Sequence, residues 1–94
     1  MNKTLNTGSD DFYTYTLDSS ISGSMVKKFF LRQDPHGCNG SYRVNNCRIT
    51  VEIKHNRDYG VISIPCTEII FKGKKEDCKA VIDAFRFHFL SAGG

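Results

Sequence analysis

YRVNNCRITVEIKH, residues 42–55, decides the fold. From Cys47 to Lys54 apolar and polar side chains alternate. Cys47, Ile49, Val51 and Ile53 fall on one side, and Arg48, Thr50, Glu52 and Lys54 on the other. Successive side chains of a strand point to opposite faces, so eight residues of strict alternation predict a half-buried antiparallel strand. Its neighbours must supply the rest of a sheet.

Downstream, NRDYG (56–60) has turn composition, and VISI (61–64) reads as an apolar strand that Pro65 bulges or ends. TEIIFK (67–72) is a further short strand, with Gly73 closing it. Upstream, DFYTYTL (11–17) alternates aromatic residues with threonine, which suits a pleated surface. SMVKKFFLRQ (24–33) is the second strand expected, although Lys27 and Lys28 interrupt its alternation. Residues 1–10 are small and polar and are expected to be loosely held, ahead of a single domain over residues 11–94.

The period changes after Gly73. In KKEDCKAVIDAFRFHFL (74–90), Cys78, Val81, Ile82, Phe85 and Phe89 recur at three- and four-residue spacing, the stripe of an amphipathic helix. Glu76 and Asp77 stand in its first turn, where the helix dipole favours acids, and Gly93 and Gly94 follow it. The expected fold is therefore α+β, a four- or five-stranded antiparallel sheet with one C-terminal α-helix packed on one face in two layers.

The stretch richest in reactive residue types is DPHGCNG (34–40), with Asp34, His36 and Cys38. A metal site wants three or four convergent ligands, and a cysteine nucleophile wants an oriented base and an oxyanion donor. Asp-Pro, His-Gly and Asn-Gly are instead turn dipeptides, and this stretch reads as a turn. The four cysteines, at 38, 47, 66 and 78, form no CxxC pair. Cys47 and Cys78 belong to apolar faces, and Cys38 alone reads as exposed. His36, His55 and His88 share no motif, and KGKK lacks the spacing of a phosphate loop. No catalytic residue, cofactor or metal ligand is assigned, and a non-enzymatic protein is expected.

No apolar run approaches the length of a transmembrane helix, and the N-terminus has no apolar signal core. A cytoplasmic protein with reduced thiols and no membrane partner is expected. Net charge is +3 over 94 residues, with −2 on residues 1–20 and +5 on residues 21–94.

Two partner classes remain. Phe29 and Phe30 are adjacent on the strand expected at 24–33, so a one-sided core takes only one of them. Phe87 lies off the helix stripe. A protein–protein contact surface around Phe87, Arg86, Phe30, Lys27 and Lys28 is therefore the first expectation, in the manner of an inhibitor, an immunity protein or a phage-encoded antagonist. A homodimer through an unpaired edge strand is part of it. The alternative is single-stranded nucleic acid, held by Lys27, Lys28, Arg32, Arg48 and Lys54 with Tyr13 and Tyr15 stacking on bases. In architecture alone, strands followed by a helix over residues 24–90 resemble small single-stranded-DNA-binding domains. A fold carries no function by itself.

Overall fold

The computed structural model describes residues 12–93, with side chains described as far as residue 89. The N-terminal segment expected to be loose lies outside the described residues. The elements run β1 (Phe12–Ser19), α1 (Gly23–Gln33), β2 (Ser41–Val44), β3 (Cys47–Tyr59), β4 (Ile62–Lys74) and α2 (Lys75–Gly93). The four strands form one antiparallel sheet in the order β1-β4-β3-β2. The expected two-layer α+β fold with a C-terminal helix is the fold observed.

The alternation in residues 47–54 places Cys47, Ile49 and Val51 in the core, as their spacing requires. Its polar counterparts Arg48 and Glu52 face outward. Residues 42–55 are nevertheless not one strand. Asn45 takes a left-handed backbone, φ 56, and the chain reverses there, so Val44 pairs with Cys47.

The largest correction is residues 24–33, an α-helix and not a strand. Val26, Phe29 and Phe30 stand three and four apart, so all three reach the core from one helical stripe while Lys28, Leu31 and Arg32 stay outside. Phe29 and Phe30 therefore do not compete for one side of a sheet, and both are buried. The Lys27–Lys28 break in alternation is simply helix period.

Both helices pack on the same face of the sheet. The Phe30 ring sits where they meet, 5.6 Å from Phe85, 6.1 Å from Phe71 and 6.0 Å from Tyr42, centroid to centroid. Cys78, Val81 and Ile82 of α2 and Ile49, Ile69 and Phe71 of the sheet complete this core. Buried Thr67 donates its hydroxyl hydrogen to the Ile21 carbonyl at 2.8 Å, which fixes the chain entering α1.

The expected turn at residues 56–60 is also corrected, whereas the bulge expected at Pro65 is found: the register shifts between the Lys54–Cys66 and Arg57–Ile64 pairs that flank it. β3 continues to Tyr59, past an irregularity between Lys54 and Arg57, and β4 runs unbroken through Pro65. The reversal sits at Gly60 (φ 72) and Val61.

Candidate functional site

DPHGCNG is a turn, and its side chains build it. The Asp34 carboxylate accepts the backbone N–H of His36 at 3.2 Å and that of Arg43 at 2.9 Å. Cys38 and Ser41 exchange two backbone bonds of 3.1 and 3.0 Å around Asn39 and Gly40, both left-handed at φ 54 and 75. That is the two-residue hairpin turn that Asn-Gly favours. Among the described residues no group of three His, Cys, Asp or Glu could hold a metal ion.

The cysteines divide as their patterns predict. Cys47 and Cys78 are buried, Cys66 is half-buried and Cys38 is exposed. Burial, followed by hydrogen bonding to Cys78, pushes the Cys47 thiol up to about 12. This holds it neutral and unreactive at physiological pH.

The residues expected at a protein contact do not form one surface. Phe30 is fully buried, because it belongs to the inner stripe of α1. Arg86 donates to the Tyr15 hydroxyl at 2.8 Å and lies 5.8 Å from that ring's centroid, which ties α2 to β1. Phe87 is 75% exposed on α2, and Lys27 and Lys28 lie on α1.

The nucleic-acid set is divided in the same way. Tyr13 and Tyr15 lie nearly parallel, 6.4 Å apart, half-buried on the helix side of β1. Lys27, Lys28 and Arg32 ride on α1, whereas Arg48 and Lys54 occupy the opposite face of the sheet. Lys54 is already bound to Glu52 at 3.1 Å and Glu68 at 3.5 Å, and these carboxylates raise its pKa. No single surface joins the stacking rings to all five bases.

The feature that sequence reasoning missed is a projecting ribbon. β1 pairing ends at Ser19–Thr67 and β2 pairing at Ser41–Thr50. Beyond those points, apart from the Val51 N–H donated to the Gly40 carbonyl, β3 and β4 pair among the described residues only with each other, out to Tyr59 and Ile62. The molecule is correspondingly long, 59 × 28 × 27 Å. Tyr59 and Ile62 are about 60% exposed at its end, and Val61, in the turn, is entirely exposed. Asn56 donates to the Ser63 hydroxyl across the ribbon at 3.2 Å. The signal was available: after Ile53, the polar run KHNRD leaves β3 nothing to bury.

Residues 19–94 match the family described as archaeal MoaD-like protein, and the chain belongs to that family. The matched span takes in every element except most of β1. No curated protein matches the chain.

Proposed function

We propose that the protein is a small non-enzymatic binding module that engages another protein through the tip of the β3–β4 ribbon. One observation carries this reading. Tyr59, Val61 and Ile62 are exposed together at the end of a two-stranded ribbon that no other element of the described residues flanks. Isolated apolar side chains on a surface are ordinary, but an aromatic and two branched aliphatic residues grouped at a protruding tip match the anchors that dominate interfaces. The ribbon edges also leave backbone donors and acceptors open to strand addition.

The reading is tested by affinity capture with the wild-type chain, a Tyr59→Ala/Ile62→Asp variant and a Phe87→Ala variant, each shown to be folded by its thermal melt. A partner bound by the wild type and by Phe87→Ala, yet weakened at least tenfold by the ribbon variant, supports it. Equal binding by the ribbon variant sinks it.

A further inference from the structure

The sheet face turned away from both helices carries its charges in rows. Strand register aligns Arg43, Arg48 and Lys72 on one rung, ending at Thr14. The next rung on that face is Ser41, Thr50, Ile70 and Thr16, without charge. The one after it is Glu52, Glu68 and Asp18. Three cations, a neutral row and three anions follow one another along the strands.

Like charges directly opposite on neighbouring strands destabilise a sheet. Within the chain the offset is one-sided, falling on the acids from Lys54 on the next rung. Lys54 pairs with Glu52 and Glu68, but among the described residues no ion pair reaches Arg43, Arg48 or Lys72. Same-face rungs recur about every 6.8 Å, so the two charged rows lie about 14 Å apart.

We infer that this face is an isologous interface with a second copy of the same chain. A two-fold axis lying between the faces, across the strands and over the neutral row, turns the second copy end for end. Arg48 then stands over the second copy's Glu52 and Lys72 over its Glu68, and symmetry repeats both pairs. An axis along the strands would set cations over cations. Sheets stack about 10 Å apart, a gap that a basic side chain and a carboxylate bridge. A small anion would answer only the cationic row, whereas a second copy answers Arg48 and Lys72 together with Glu52 and Glu68, leaving Arg43 and Asp18 at the rims. The outward positions of β1, β3 and β4, with only Ser41 and Arg43 from β2, cover roughly 500 Å² per copy, near the lower limit for a specific interface. The association is accordingly weak and salt-sensitive.

The experiment is sedimentation equilibrium of the full chain up to millimolar concentration at 20 and 500 mM salt. Arg48→Glu alone, Glu52→Arg alone and their equimolar mixture are run beside the wild type. Wild-type dimers that dissociate in salt are expected, with each single variant weakened on the order of tenfold or more. The mixture is expected to associate again, because each unlike pair then forms between the two variants. A wild type that stays monomeric at millimolar concentration and 20 mM salt overturns the inference. So do single variants that dimerise as well as the wild type, which would place the contact on the β1 edge or the ribbon. A mixture that does not associate overturns it too. Tyr59→Ala is expected to leave the dimer intact, so this interface and the ribbon stand or fall separately.

Discussion

Gly73 has φ 146, a backbone conformation that side-chain-bearing residues rarely adopt. A Cβ there would strike the carbonyl oxygen of Asn46, which accepts the Lys74 N–H at 3.2 Å. Backbone cannot step aside as a side chain can, so Gly73→Ala is expected to cost about 2 kcal/mol or more, read by urea denaturation. Sequence pattern flagged Gly73 only as the end of a strand, because a close approach between distant backbone segments leaves no mark in local composition. Phe30 shows the same limit from the opposite side. Its type was legible and its location was not, and Phe30→Ala is expected to cost about 3–5 kcal/mol as a core truncation. Cys47 was legible in both respects. Its thiol pKa is raised by burial, so the stability gained by keeping it protonated is full below its unfolded value of about 8.5. That contribution is lost as pH rises toward about 12. In the native protein at pH 8, iodoacetamide should therefore label Cys38 first and reach Cys47 and Cys78 only on unfolding. Mass spectrometry of the labelled peptides decides it, and prompt labelling of Cys47 would contradict its burial.

At the scale of elements, what could be read depended on whether local period and tertiary burial agreed. β3 and α2 were readable because each buries one face against the other, which writes the period of two or 3.6 into the chain. α1 was misread because its buried residues, Val26, Phe29 and Phe30, are β-branched or aromatic and look like strand residues by type. Their three- and four-residue spacing held the answer, together with Ser22 before the helix and Pro35 after it. The ribbon was misread for a different reason. Without a covering layer it has no face to bury and so no strong alternation, and HNRD passes for a loop. A two-stranded ribbon with open edges is marginal alone. Hydrogen exchange should therefore be far faster for amides of residues 55–63 than for those of Ile49, Val51, Ile69 and Phe71. Protection of the ribbon in the free protein equal to that of the sheet body would show that something covers it.

Across the whole molecule, both helices occupy one face of the sheet, and no element of the described residues packs on the other, charged face. Net charge of +3 conceals how they are distributed, because a sum carries no register. Strand pairing is what sets Arg48 directly between Arg43 and Lys72. Two like neighbours about 5 Å away in Cα position repel it more strongly than acids about 14 Å along the strands attract it. Arg48→Gln is therefore expected to stabilise the monomer by about 0.5 kcal/mol, a rise in Tm of about 2–4 °C. The measurement belongs at low micromolar protein, where a weak dimer is dissociated, and at 10 mM salt, where the Debye length is about 30 Å. At 0.5 M salt screening removes most of the repulsion, and the gain should shrink with it. A gain that persists at high salt would trace to side-chain packing and not to charge. A lower Tm for Arg48→Gln would mean that attraction to the acidic row outweighs repulsion within the cationic one, so that the face is balanced within a single chain.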